Sequence, residues 1–190
     1  MSKLYFVRHG ETYWNVENKI CGATDIALTE RGHQQAIDTG KMIVEQALTF
    51  DEILSSPLIR ASETARHISE ITGIPTRIES RLIEQNFGKY ESTARDGAEF
   101  RIAKEHFLDR YGTGESMMRL GQRIYNLIDE LKARTIAENK TFLLVTHGGI
   151  ARMIHSYFYS ETNEEFSSTD FGNYEIKEYK FYSQSLAKQI

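Results

Sequence analysis

Leu4-Tyr5-Phe6-Val7 runs into Arg8-His9-Gly10, and Phe142-Leu143-Leu144-Val145-Thr146 runs into His147-Gly148-Gly149. Each stretch is apolar and β-prone, and each stops at a histidine followed by glycine. A strand buried on both faces of a parallel sheet reads as such an uninterrupted run. Ligands of open α/β sheets bind outside the carboxyl ends of the strands. Two histidines carried there by separate strands would face each other across one crevice, with glycine letting backbone approach a ligand closely.

Outward from these strands the chain alternates between the two periodicities. Glu11 to Ile26 reads as a polar loop punctuated by Gly22. Thr29 is a candidate N-cap for a helix bearing Ala36, Gly40, Ile43, Val44 and Ala47 on one face. Phe50–Ser55 reads as a strand. Ser56-Pro57 then predicts a helix start, serine capping and proline in the first helical position; Leu58, Ala61, Ala65 and Ile68 face inward and Gly73 ends the helix. Ile74–Ile78 is expected as a strand, which Pro75 pushes to an edge.

Residues 81–114 are polar and glycine-bearing, with a short helical pattern through Phe100, Ala103 and Phe107. The stretch is too long for a simple connection and is expected to cap the crevice. A long helix follows, striped by Leu120, Ile124, Leu127, Ile128 and Leu131. After the second histidine strand comes a helix with Ile150, Met153, Ile154 and Tyr157. Tyr174–Phe181 is strand-like, but its alternation slips near Glu178 and leaves the register open. The expected architecture is a three-layer α/β fold: a mainly parallel sheet, helices on both faces, and a small cap over the carboxyl ends of the strands.

Composition narrows the function classes. A chain of 190 residues with 40% hydrophobic content suits one domain, 1–190. The net charge of −4 argues against sequence-independent nucleic-acid binding. No apolar run reaches membrane-span length, and the N-terminal residues lack a signal-peptide pattern. The single cysteine, Cys21, suits a reducing cytoplasm and reads as a small packing residue. These features predict a soluble cytoplasmic protein; its oligomeric state is not specified.

Most histidines are surface or satisfied polar residues, and His33, His67, His106 and His155 read that way. His9 and His147 stand apart through their strand-end context. Arg8 adjoins His9, and Arg60 lies in the first turn of the helix after Ser56-Pro57, where free N–H groups and the helix dipole favour an anion. Neither arginine has a carboxylate beside it on its own element except Glu63. Two guanidinium forks and two imidazoles suit a dianion such as phosphate. The histidines lack metal-ligand spacing and the arginines would repel a cation, so no metal or other cofactor is expected in this pocket.

Arg8-His9-Gly10-Glu11-Thr12 with Asn15 resembles the signature of the histidine phosphatase superfamily, the phosphoglycerate-mutase-like fold. The resemblance continues through Leu28-Thr29-Glu30-Arg31-Gly32, Ser55-Ser56-Pro57 with Arg60-Ala61, and Glu84 ahead of Phe87-Gly88 and Glu91. It ends with Gly114-Glu115-Ser116 and Val145-Thr146-His147-Gly148-Gly149. The motifs occur in the family's order from residue 4 to about 154.

The resemblance implies that His9 attacks phosphorus and becomes phosphohistidine, while Arg8, Arg60 and His147 hold the phosphoryl oxygens. Gly10, Glu11, Thr12, Asn15 and the Gly148 N–H complete the implied substrate contacts. Read alone, Glu84 is an ordinary loop carboxylate; the resemblance makes it the general acid and then the base.

Two activities fit, hydrolysis and mutase-type phosphoryl transfer. The family's glycolytic mutases carry a longer cap with paired arginines, whereas Ser92–Thr113 is short and its Arg95, Arg101, Lys104 and Arg110 are scattered. A phosphatase acting on a small phosphorylated metabolite is therefore favoured. A protein that binds phospho-ligands without turnover is the third reading, disfavoured by the complete set His9, Arg60, Glu84 and His147. The family often has glycine where this chain has Ser92, a departure that bears on the loop after Glu91.

Overall fold

The computed structural model describes residues 2–181. Five strands form one sheet: β1 (Ser2–Arg8), β2 (Glu52–Ser55), β3 (Thr76–Ile78), β4 (Phe142–Thr146) and β5 (Ile176–Phe181), in the order β3-β2-β4-β1-β5. All pairings are parallel except the antiparallel pairing of β5 with β1. The helices are α1 (Tyr13–Val16), α2 (Glu30–Glu45), α3 (Ile59–Thr72), α4 (Ala98–Ala103), α5 (Met117–Glu138), α6 (Gly148–Phe158) and α7 (Asn163–Ser168). No helix among the described residues is long and apolar enough to cross a membrane.

The two histidine strands are apolar throughout because both their faces are covered. Side chains alternate across a strand. Leu4, Phe6, Phe142 and Leu144 therefore pack with Leu120, Ile124, Leu127 and Ile154 of α5 and α6. Tyr5, Val7, Leu143 and Val145 pack on the other side with Ile43 of α2 and Ala61, Ala65 and Ile68 of α3. This is the expected three-layer α/β arrangement, with β3 at an edge.

The slip near Glu178 also has a cause. In β5, Tyr179 and Phe181 join the α5–α6 core, whereas Ile176 packs against the α2–α3 core. Glu178, on the Ile176 side, accepts hydrogen bonds from Tyr5 Oη and Lys3 Nζ at the sheet's edge.

Three local expectations need correction. α3 begins at Ile59 with Leu58 as its N-cap and no side-chain cap, because Ser56 Oγ is engaged by the Leu58 N–H (3.3 Å) and His147 Nε2 (2.7 Å). Val44 is exposed, and Ala47 lies beyond the end of α2 in a left-handed conformation, so neither belongs to its buried stripe. Phe107 lies outside α4, which stops at Ala103.

Within 81–114 the 3-10 turn Gly88–Tyr90 and α4 are organised around an apolar cluster of their own, whereas Leu82 packs into the α5–α6 core. Phe87, Tyr90, Phe100, Ala103 and Tyr111 pack there with Ile20. This small core holds the segment against the mouth of the site.

Candidate active site

β1 and β4 are adjacent and parallel, with Arg8 paired to Thr146, so both histidines emerge at one end of the sheet. Their rings lie 5.1 Å apart between centroids, and both are buried. The His9 Nδ1–H donates to the Gly10 carbonyl at 2.7 Å, which leaves Nε2 with the lone pair. Burial first, then the charges of Arg60 and Arg8, holds His9 well below the ordinary imidazole value. His147 is displaced the same way, by burial and then by Arg60, His9 and Arg8. Both rings are neutral near pH 7.

The loop after His9 is tightly framed. A Cβ on Gly10 would stand 2.2 Å from the Gly32 carbonyl oxygen, so only glycine admits α2 this close. The Gly10 N–H donates to Thr64 Oγ1 at 3.2 Å and the Glu11 N–H to Gln35 Oε1 at 2.8 Å. Thr12 caps α1 through a reciprocal pair with Asn15, whose Oδ1 accepts from the Thr12 N–H at 3.0 Å.

Arg60 is fully buried. Its Nε donates to His147 Nδ1 (3.2 Å), Nη1 to the Thr24 carbonyl (2.9 Å) and Nη2 to the Gly22 carbonyl (2.6 Å). Two of the five guanidinium N–H groups remain. Glu91 holds the same 22–24 loop from its other side, its carboxylate accepting from the N–H groups of Gly22, Ala23 and Thr24. It accepts from the Phe87 N–H as well, at 2.9 Å. The loop thus passes between an anion on its N–H groups and a cation on its carbonyls.

Glu84 sits across from the histidines, and both of its oxygens accept backbone hydrogen bonds. Oε1 takes the Gln85 N–H at 2.9 Å and Oε2 the Gly149 N–H at 2.8 Å. A Cβ on Gly149 would lie 2.6 Å from Glu84 Oε1, so the glycine permits the contact. Arg8 Nη1 donates to the Phe171 carbonyl at 2.9 Å and lies 3.5 Å from the exposed Asp170, a partner that arrives from a distant segment. Its Nε is buried and has no hydrogen-bond partner among the described residues.

A cleft of about 270 Å³ opens above these groups. Arg8, His9, Asn15, Glu84 and Gly148 line it. His147 and Arg60 do not; they lie beneath, where the Arg60–His147–Ser56 chain of hydrogen bonds braces the floor. Gly10, Glu11 and Thr12 are also absent from its wall, because their polar groups are spent on framing the loop; the Glu11 carboxylate turns instead to Thr29 Oγ1 at 2.9 Å.

The sequence reading missed Arg152, which α6 presents one turn after Gly148, and the segment Ser167–Asp170 at the end of α7. The Thr162/Glu165 capping box was a legible signal for α7. Arg95 and Lys104, scattered in sequence, meet Arg152 on the same wall, along with Phe87 and Phe100.

A mainly parallel α/β sheet thus carries two neutral histidines to one end, with Arg8 and His9 on the cleft wall and Arg60 and His147 beneath it, a setting whose positive charge suits an anion. The sequence profile of the histidine phosphatase superfamily (branch 1) matches residues 4–189, and the chain belongs to that family. It is 35% identical over 155 residues to "Probable phosphoglycerate mutase GpmB" of Erwinia tasmaniensis, covering 78% of this chain and 70% of that one. It is 33% identical over 172 residues to a 2,3-bisphosphoglycerate-dependent phosphoglycerate mutase of Bartonella bacilliformis, covering 85% and 84%. Among solved structures, a mycobacterial glucosyl-3-phosphoglycerate phosphatase complexed with VO3 superposes with a TM-score of 0.80 at 25% identity, covering 94% and 90%.

Proposed function

We propose that this protein is a metal-independent phosphomonoester hydrolase that works through a phosphohistidine on His9. The observation that carries the reading is the buried, neutral His9 with its Nδ1 fixed on Gly10, beside the part-unpartnered Arg8 guanidinium and across from Glu84. The His9 Nε2 lone pair attacks phosphorus as the P–O ester bond breaks. Glu84, protonated, gives its proton to the leaving oxygen. Water then attacks the phosphohistidine, Glu84 takes its proton, and the P–N bond breaks to restore His9 and release phosphate.

Charge on the phosphoryl oxygens is met by Arg8, the Asn15 amide and the Gly148 N–H at the start of α6, with the buried Arg60 guanidinium adding its positive charge from beneath the floor. His147 holds Arg60 and braces the floor beneath the phosphoryl pocket. Guanidinium groups around the site disfavour a catalytic cation there.

The far wall supports a substrate class. Arg95, Lys104 and Arg152 make no hydrogen bond to a carboxylate among the described residues, and Phe87 and Phe100 lie beside them. A small metabolite whose leaving group carries a second anionic group fits that wall.

Mutase-type transfer is the second reading, favoured by the names of two sequence relatives. The Bartonella relative is matched over 84% of its length, so chain length alone does not separate the two activities. The test is phosphate release from a panel of phosphomonoesters in excess EDTA, including 3-phosphoglycerate with 2-phosphoglycerate also measured. Release without isomerisation is expected. Isomerisation without release would make the protein a mutase, and neither would leave a phospho-ligand binder.

A further inference from the structure

Outside the cleft, one cluster of metal-ligating side chains stands among the described residues: His33 of α2 with Glu63 and His67 of α3. Glu63 and His67 are one helical turn apart on the same face, a four-residue spacing that brings two ligands together. His33 meets them across the half-buried seam between the two helices. His33 Nδ1 and His67 Nε2 are 2.9 Å apart, and one donor atom from each of the three residues lies within 4.8 Å of the others.

We propose that His33, Glu63 and His67 form a binding site for a zinc-class divalent transition-metal ion that ties α2 to α3. The inference is independent of the phosphatase reading. Two imidazoles and a carboxylate suit zinc and its neighbours better than calcium or magnesium, which prefer oxygen. Tetrahedral zinc with Zn–N bonds of about 2.0–2.1 Å sets its nitrogens about 3.3 Å apart, so the pair needs to open by only about 0.4 Å.

His67 Nδ1 lies 3.8 Å from Glu70 Oε2, so a shift of about 1 Å would let that carboxylate orient the ligating imidazole with Nε2 toward the ion. In the metal-free pair one ring N–H lies between the two facing nitrogens; in the tautomer that leaves His67 Nε2 with its lone pair, His33 Nδ1–H is the donor. On metal binding the His33 ring proton moves to its own Nε2 through solvent, so both facing nitrogens bind the ion and no net proton is released.

Arg66 is the competitor. Its Nη2 donates to Glu63 Oε2 at 2.7 Å and approaches His67 Nε2 at 3.5 Å, while Nη1 reaches Glu70 at 2.6 Å. Binding moves Arg66 off Glu63 and onto Glu70. The neighbours of the cluster support the nucleophile: Gly32 abuts Gly10, and Thr64 Oγ1 accepts the Gly10 N–H. The ion therefore braces the frame of the His9 loop from behind.

The full chain, stripped with EDTA and exchanged into chelator-free buffer, is titrated with zinc by calorimetry beside His33→Asn, His67→Asn and Arg66→Gln. One equivalent is expected to bind at about micromolar Kd or tighter. Each histidine variant should weaken binding at least about tenfold, and Arg66→Gln should tighten it several-fold by removing a competing positive charge. Zinc should raise the Tm of the natural chain and not that of His33→Asn. Absence of binding below about 100 μM overturns the proposal. So does affinity unchanged by both histidine variants; if those variants fail to fold, unchanged affinity in Arg66→Gln does the same.

Discussion

The two ends of the cleft are built on different terms. At the floor, His9 and His147 sit at the ends of buried parallel strands, and nearly every polar atom has a partner: Gly10 for His9, Ser56 and Arg60 for His147, and the Gly22 and Thr24 carbonyls for Arg60. On the far wall, Arg95 and Lys104 come from the 81–114 segment and Arg152 from α6, and among the described residues no carboxylate hydrogen-bonds to them. Preorganised donors suit the charge that develops in a transition state, whereas unanchored cations suit recognition of a variable group. If the proposed mechanism holds, rate belongs to the sheet and selectivity to the cap, so variants at the two ends should divide into kcat and KM effects.

The largest effect should come from His9→Ala, which removes the attacking atom. A fall of about 10⁴-fold or more in kcat is expected for every phosphomonoester, with phosphate binding retained. Glu84→Gln should follow, with roughly 10²- to 10⁴-fold slower turnover of alkyl phosphates, whose leaving groups need the proton. Its effect on p-nitrophenyl phosphate should be much smaller. Equal losses on the two substrates would assign the acid to another group and blur the division between the ends.

The floor also predicts a pH response. His9 titrates well below its ordinary 6.5, so the acid limb of kcat/KM that reports its protonation should lie under pH 6.5. The same shift acts on stability. Below pH 6.5 the unfolded chain takes up a proton that the folded His9 refuses, so stability falls as pH drops through this window and is unaffected above it. Each such group contributes a slope of about 1.4 kcal/mol per pH unit. Urea unfolding between pH 6.5 and 5 should therefore be steeper in pH for the natural chain than for His9→Asn; parallel curves would place a protonated or solvated imidazole in the pocket.

The floor was also the more legible end in the sequence. The runs ending at His9 and His147, the stripe of α5 and the stop at Gly73 follow from local pattern, because strand burial and helix periodicity are written in adjacent residues. The start of α3 did not follow, since Ser56 spends its hydroxyl on His147 from another strand. The seat of Arg60 beneath the cleft depends on carbonyls of the 22–24 loop that Glu91 holds from 67 to 69 positions away. Arg152 reads as one more residue of an amphipathic helix until the 81–114 segment folds over it. The pair His33 and His67 is equally silent in sequence, because its meaning lies in the seam between two helices.

At the far wall, Arg152→Ala should raise KM about tenfold for a substrate with a second anionic group, as loss of one charge-assisted contact predicts. Its kcat should stay within a few-fold, and p-nitrophenyl phosphate, whose leaving group carries no second anion, should be nearly unaffected. Lys104→Ala should act in the same direction and less, since its ammonium already lies over the Phe100 ring at 5.3 Å. A uniform loss across all substrates would move Arg152 to the phosphoryl end.

The smallest effect is expected behind the wall. Ser92 adopts φ 69°, the left-handed region where an L side chain costs about 1–2 kcal/mol relative to glycine. The position is held because the Ser92 N–H donates to the Ile20 carbonyl at 3.0 Å, and the Ile20 N–H donates to the Thr93 carbonyl at 2.8 Å. That pairing stitches the loop after His9 to the cap segment. Glycine tolerates the same backbone but gains freedom in the unfolded chain, which offsets part of the relief. Ser92→Gly should therefore raise stability by up to about 1 kcal/mol, a Tm gain of about 2–4 °C in a chain this size, with kcat and KM unchanged. A changed KM for anionic substrates would instead mean that the strain at Ser92 sets the position of Arg95, three residues on, and that the cap is tuned through its backbone.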